Sequence, residues 1–282
     1  MSDQINNLAC ALDEPTERRF GGLSRLYGPR ALAALQQAHV AVIGIGGVGS
    51  WAAEALARSG VGALTLVDLD HVAESNVNRQ VHALTETLGQ AKVVAMAERI
   101  KGIHPACRLT LVDDFLTPQN VATVLSPEID IVIDCTDQVA AKIAMILHTR
   151  AHKQTLLVCG GAGGKTDLLS MRVGDLSEAT HDALLARMRN LLRKEYGFAR
   201  PSTAAGKVKK RTPKMGVKVL WLDQPTILPA AWQSAEPAEA GSGSTSLQGL
   251  SCAGYGSSVT VTASMGFAAA AQALGIILAH QK

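Results

Sequence analysis

Short apolar runs punctuate the first 165 residues, and stretches with helical spacing separate them. Val40–Ile43, Ala63–Val67, Arg108–Val112, Ile129–Ile133 and Thr155–Cys159 read as strands. Val48–Arg58, Ala91–Ile103, Asn120–Leu125 and Val139–His152 read as the helices between them. Nearly continuous apolar strands alternating with helices predict parallel βαβ units, and so an α/β fold with a doubly wound, Rossmann-like, mostly parallel sheet. Ahead of this alternation, Arg18–Gln37 is expected to be partly helical, with Leu26, Leu32 and Leu35 as anchors and Gly28-Pro29 as a break. Behind it the pattern weakens. Leu168–Val173 predicts a strand and Asp182–Tyr196 a charged helix, while residues 233–246 are rich in Ser, Gly, Ala and Glu and read as a flexible loop. The expected organisation is a leader over 1–17 and a nucleotide-binding core over 18–165. Residues 166–282 then form an α+β extension of the same domain, with flexible loops near 200–216 and 233–248.

Composition narrows this. With 47% hydrophobic and 18% charged residues the chain can bury a sizeable core, and at 4% aromatics that core must be built from Ala, Val, Leu and Ile. A net charge of +3 does not by itself argue for nucleic acid. Cys10, Cys107, Cys135, Cys159 and Cys252 form no C-x-x-C pair, which predicts reduced thiols and a cytoplasmic setting. Asp3, Asp13, Glu14 and Glu17 leave no apolar stretch for a signal peptide. The segment Val259–Ala279 is long enough to span a bilayer. Its Ala, Gly, Ser and Thr content gives little transfer energy, so a buried helix of a soluble protein is the favoured reading over membrane association.

Candidate chemistry begins where the first strand ends. Gly44, Gly46, Gly47 and Gly49 form a G-x-G-G-x-G turn between strand and helix. Bare backbone N–H groups and the positive end of a helix make such a turn an anion cradle. Asp68, nineteen residues after Gly49 at the end of the second strand, suits a ribose hydroxyl. These features fit NAD and ATP equally, and a dehydrogenase is a fair reading at this point.

Further residues shift the balance. Asp68-Leu-Asp70 leads into Asn76-Val-Asn-Arg79-Gln80, then Lys92, and Asp134-Cys-Thr-Asp137 follows at a strand end. Alone, Arg79 or Lys92 reads as solvated surface, and Asp137 as a helix cap. Together and in this order the five elements resemble the ubiquitin-activating-enzyme-like adenylyltransferase family. The resemblance implies that ATP lies against the glycine turn, with Asp68, Asp70, Asn76, Arg79 and Lys92 around it. It implies catalysis through Arg79, Lys92 and Asp137, with Asp137 as the magnesium ligand. The chemistry suits these residue types. Attack of a carboxylate on the α-phosphate builds negative charge, which Arg79 and Lys92 are placed to neutralise. Magnesium takes one or two carboxylates together with phosphate oxygens.

Departures from the family pattern point to a branch. The zinc-binding C-x-x-C pairs of the sulfur-carrier activators are absent, and the chain is too short for a separate catalytic-cysteine domain. The N-terminal R-Y-x-R-Q, which sends an arginine into a partner's ATP site, reads here Arg19-Phe20-Gly21-Gly22-Leu23, with Arg19 or Arg25 as substitutes. Arg19–Gly28, Gly44–Arg58, Asn78–Ala83, Val112–Phe115, Gly160–Gly164 and Ser251–Gly256 are similar to the tRNA-modifying branch that cyclises N6-threonylcarbamoyladenosine beside the anticodon. That resemblance implies ATP-dependent adenylation of the threonyl carboxylate, a tRNA substrate, a homodimer and sulfur-transfer (cysteine desulfurase) proteins among candidate partners. The alternative within the family is adenylation of a sulfur-carrier or ubiquitin-like protein's C-terminus. Arg187, Arg189, Arg193 and Lys194, with the basic segment Arg200, Lys207, Lys209, Lys210, Arg211, Lys214 and Lys218, read equally as phosphate contacts and as a solvated charge run on a surface helix and loop. Cys252 and Cys135 are expected to be packing residues rather than nucleophiles.

Overall fold

The computed structural model describes residues 14–201, 212–229 and 252–279. Seven strands form one sheet: β1 (His39–Ile43), β2 (Ala63–Val67), β3 (Arg108–Val112), β4 (Ile131–Asp134), β5 (Thr155–Cys159), β6 (Met171–Asp175) and β7 (Lys218–Leu222). Their order is β3-β2-β1-β4-β5-β7-β6. Every pairing is parallel except β6 with β7. The doubly wound sheet expected from the sequence is therefore present. β1 and β4 are neighbours although β2 and β3 intervene in the chain, so the crossover direction reverses between them. Such sheets bind ligands at the carboxyl ends of the strands beside that reversal.

The helices among the described residues are α1 (Glu14–Tyr27), α2 (Ala31–Gln37), α3 (Gly49–Arg58), α4 (Lys92–Ile103), α5 (Val121–Val124), α6 (Val139–His152), α7 (Ala183–Glu195), α8 (Cys252–Tyr255) and α9 (Val259–Ala279). α1 begins four residues earlier than the sequence pattern suggested, inside the expected leader, and Gly28-Pro29 separates it from α2 as expected. One apolar cluster joins α2, α3, α4 and α9 to one face of the sheet, and a second joins α5 and α6 to the other. A third, around Leu185, Met188, Val219 and Trp221, packs α7 on β7.

α9 is the long apolar helix, with a mean hydropathy of 1.7 over its most apolar window. It lies along α3 and buries Val261, Met265, Ala269, Ala270 and Ala273. A side chain at Gly266 would meet the Val48 carbonyl oxygen at 2.6 Å, so this glycine lets the two helices touch backbone to backbone. Trp51 and Phe267 meet edge to face beside it, with ring centroids 5.7 Å apart. This packing accords with the buried-helix reading of the sequence.

The sequence reading missed β7 and placed β6 too early. Leu168–Ser170 is a 3-10 turn, and the strand runs from Met171 to Asp175. The expected loop at 233–246, residues 202–211 of the basic segment and Cys10 lie outside the described residues.

Candidate active site

A cleft of about 370 Å³ opens at the carboxyl ends of β1, β2 and β4. Gly44, Gly46, Gly47, Asp68, Asp70, Asn76, Arg79, Lys92 and Asp137 all line it. Gly49 is the remaining residue of the expected set, and it works from behind: a methyl group there would stand 1.8 Å from the Gly44 carbonyl oxygen. Gly44 adopts a φ of +88° against the Cys135 backbone. These two glycines let β1 turn sharply into α3. Gly46 faces open space, with no heavy atom within 4 Å of where a side chain would begin. No side chain caps the N-terminus of α3, and although the Ser50 N–H donates to the Gly46 carbonyl at 3.1 Å, no protein side chain competes with an anion for this helix end.

Asp68 does more than the sequence suggested. One carboxylate oxygen accepts from the Ile45 N–H at 2.6 Å and the other from the Asp70 N–H at 2.9 Å. The acid thus pins the glycine turn, and each oxygen keeps a lone pair for a ribose hydroxyl. Burial pushes its carboxyl above the usual range, and the nearby Lys92 ammonium opposes that shift. Lys92 is the first residue of α4; its Nζ lies 2.6 Å from Asp70 Oδ2 and 3.8 Å from Asp68 Oδ1. The Arg79 guanidinium donates to the Ser75 carbonyl and to Asn78 Oδ1 at the mouth of the cleft. The Arg79 carbonyl accepts from Trp51 Nε1 at 3.0 Å, which ties this loop to α3. Asn76 is buried, and its Oδ1 accepts from the Ala73 N–H, shaping the turn that carries Arg79.

Asp137 is exposed at the cleft and has no hydrogen bond or ion pair among the described residues. It does not cap α6, whose N-cap is Gln138 with no side-chain bond. A carboxylate left free at a strand end is suited to a cation that arrives with phosphate. Among the described residues no group of three or more His, Cys, Asp or Glu side chains could hold a metal by itself. One carboxylate plus substrate phosphates fits magnesium better than a preformed cage.

Two groups escaped the sequence reading. Lys142 and Asp134 are both fully buried beneath the Asp137 loop, with Nζ 3.1 Å from Oδ2. Lys142 also donates to the Cys159 carbonyl at 2.8 Å, and Asp134 Oδ1 accepts from the Thr136 N–H and hydroxyl. Burial raises the Asp134 carboxyl above its ordinary range, against the pull of Lys142. The pair fastens the ends of β4 and β5 together where they enter the cleft. The second group is the segment between α8 and α9. Asn78 donates to the Ser257 carbonyl, and the Gly164 N–H donates to the Gly256 carbonyl at 2.9 Å. The segment therefore arches over the cleft from the Arg79 loop to the glycine loop after β5.

Other expectations need correction. Arg189 is not free for phosphate: its Nη1 donates to the Leu176 and Ala179 carbonyls. Arg193 Nε donates to the Ala199 carbonyl. Both arginines hold the chain around α7, while Arg187 and Lys194 are exposed. Cys135 lines the cleft, with Sγ 3.9 Å from that of Cys159. That contact and burial push its thiol well above the ordinary range, which makes it a poor nucleophile and agrees with packing. The side chain of Cys252 lies outside the described atoms.

Comparisons with known proteins show what the whole chain is similar to. The ThiF family model matches residues 20–282. The chain is 41% identical to the tRNA threonylcarbamoyladenosine dehydratase of Haemophilus influenzae, over 93% of this chain and 94% of that protein. It is also 41% identical to the protein of the same name from Escherichia coli, over 96% and 98%. Crystal structures of the E. coli tRNA N6-threonylcarbamoyladenosine dehydratase with AMP and with ATP each superpose with a TM-score of 0.80 at 40% identity, covering 95% of this chain and 97% of theirs.

Proposed function

The chain belongs to the ThiF family, and on that premise we propose that it is an ATP-dependent dehydratase of N6-threonylcarbamoyladenosine in tRNA. The observation that carries this is the cleft itself: an anion-binding glycine turn, a ribose-binding acid, two cations and one free carboxylate converge in it. Similarity over nearly the whole length of two dehydratases supports the choice of substrate.

The triphosphate lies against the N-terminus of α3, with the ribose on Asp68. The threonyl carboxylate attacks the α-phosphorus, and the bond to pyrophosphate breaks. Arg79 and Lys92 stabilise the charge on the phosphates, the term that usually dominates such catalysis. Asp137 would hold magnesium, which supplies charge neutralisation at the phosphate oxygens. An atom of the carbamoyl group then attacks the acyl carbon, AMP leaves, and a proton is released. The net change in the nucleoside is the loss of one water. The carboxylate needs no general base for the first step.

A homodimer and a cytoplasmic setting belong to the same reading. Arg19 donates to the Ile103 carbonyl of its own chain, so exposed Arg25 is the better arginine to reach a partner's nucleotide. Sedimentation analysis tests the dimer. The function is tested by mass spectrometry of tRNA nucleosides after incubation with protein and ATP. Loss of one water from threonylcarbamoyladenosine, with AMP and pyrophosphate formed, is the expected result. An unchanged nucleoside on fully modified tRNA refutes it, and ATP–pyrophosphate exchange driven by a sulfur-carrier protein would favour the family's other chemistry.

A further inference from the structure

A second, smaller cavity of about 80 Å³ adjoins the cleft, and the two share Asp137, Gly161 and Leu184. Lys165, Asp182, Thr226 and Tyr255 contribute to the remaining walls. The reaction fixes what must lie here. A carboxylate attacking the α-phosphorus beside Asp137 carries the rest of its molecule with it. The glycine turn, Asp68 and Lys92 line the cleft but not the second cavity, which meets the cleft at Asp137 and so offers room for that remainder.

The lining has the chemistry of a nucleobase pocket. Tyr255 offers a half-buried ring and Leu184 an apolar wall. Lys165 Nζ is buried and donates to the His181 and Gln224 carbonyls, and a charged ammonium keeps a third N–H. Asp182 is held in place by the Gly161 and Leu185 N–H groups at 2.8 and 2.9 Å. Flipped or unstacked bases are held in this way, by a ring face and a few fixed polar groups. Tyr255 ends α8 and leads directly into the arch already described, which is pinned on one side to Gly164 and on the other to Asn78.

We propose that this second cavity, together with the part of the cleft it opens into, is the acceptor subsite, receiving the purine and carbamoyl group of the modified adenosine, with Tyr255 stacked on the base. The assignment rests on the dehydratase reading and names where its substrate binds. The test measures KM for threonylcarbamoylated tRNA and for ATP separately, in wild type, Tyr255→Ala and Tyr255→Phe. Loss of one base stack in Tyr255→Ala raises KM for tRNA about tenfold or more while KM for ATP and the melting temperature hold. Tyr255→Phe, which keeps the ring face, recovers most of that loss. Binding of the free N6-threonylcarbamoyladenosine nucleoside, followed by calorimetry with a non-hydrolysable ATP analogue present, weakens in parallel. Equal shifts in both KM values, or none in that for tRNA, overturn the subsite while leaving the dehydratase reading intact. A wild type that does not dehydrate the nucleoside overturns both.

Discussion

Replacing Lys142 with methionine keeps most of the length of the side chain and removes its charge. Lys142 and Asp134 are each 0% exposed, so neither charge has water to fall back on. Removing one partner of a buried pair typically costs about 3–5 kcal/mol, because the other is left uncompensated. The Cys159 carbonyl loses its donor as well. Against a total stability of about 5–15 kcal/mol, Lys142→Met folds only marginally. Asp134→Leu is expected to cost a similar amount. The double variant carries no stranded charge, so it should be more stable than the sum of the singles by about 2 kcal/mol or more, which is a strong coupling for a contacting pair. Urea unfolding of the four proteins measures this. A second signature is pH: Asp134 in Lys142→Met is relieved by protonation, so the penalty should shrink as pH falls. Additivity within about 0.5 kcal/mol would refute the reasoning, since that is what independent sites show.

Arg79→Ala should unfold within about 0.5 kcal/mol of wild type, as for other substitutions outside the core, yet lose roughly 10²–10³ in kcat if it stabilises the transition state; single-turnover AMP formation tests it. Gly46→Ala and Gly49→Ala separate two roles of the turn. Gly49→Ala places a methyl 1.8 Å from a carbonyl oxygen and should lower the melting temperature. Gly46→Ala meets open space and should spare the fold, while weakening ATP binding measured by calorimetry because the methyl enters the phosphate side. His82 is buried beside Lys92 and Arg99, and burial first, then those charges, lowers its pKa from 6.5 to about 4. Its neutral form is favoured in the fold, so its contribution is present above pH 6.5 and lost as pH falls through about 4. That amounts to about 3 kcal/mol, at 1.36 kcal/mol for each pKa unit. His82→Leu should flatten the stability curve over that interval, and an unchanged slope would sink the assignment.

Most of the architecture could be read from the chain because its strands are bounded runs. Ala63–Val67, Arg108–Val112 and Thr155–Cys159 end at the residues where the apolar pattern ends. The candidate site could be read for a different reason: Asp68, Arg79, Lys92 and Asp137 belong to a spaced motif, and the fold brings its parts to one cleft. β7 was missed because Lys218–Leu222 follows a basic, Pro- and Gly-containing segment, outside the strand–helix alternation that marked the five-residue strands β1, β2, β3 and β5. Its identity as a strand comes from pairing with β5 and β6, which is a tertiary fact. Lys142 was missed because a lysine in a helix ordinarily faces water. A signal was present, since Ala141 and Ile143–Ile146 are apolar on every side of it and a helix apolar all round is buried. Arg189 and Arg193 misled in the opposite direction. Charge alone does not distinguish an arginine that meets phosphate from one that satisfies backbone carbonyls.

The arrangement around Lys92 shows how the cleft stays ready for a triphosphate. A lysine aimed into an empty anion site would be a buried, unpaired cation, which is costly. Here Asp70 supplies the counter-charge at 2.6 Å, and its side chain is 57% exposed. When phosphate arrives, Asp70 has water to turn to, so losing the pair costs it little, as for exposed ion pairs generally. Asp68 differs in kind. It is buried and bonded to the Ile45 and Asp70 N–H groups, so it cannot leave without loosening the glycine turn. On the proposed function, two acids two residues apart divide the work: Asp70 would hold the cation until substrate replaces it, and Asp68 fixes the loop against which the substrate would lie.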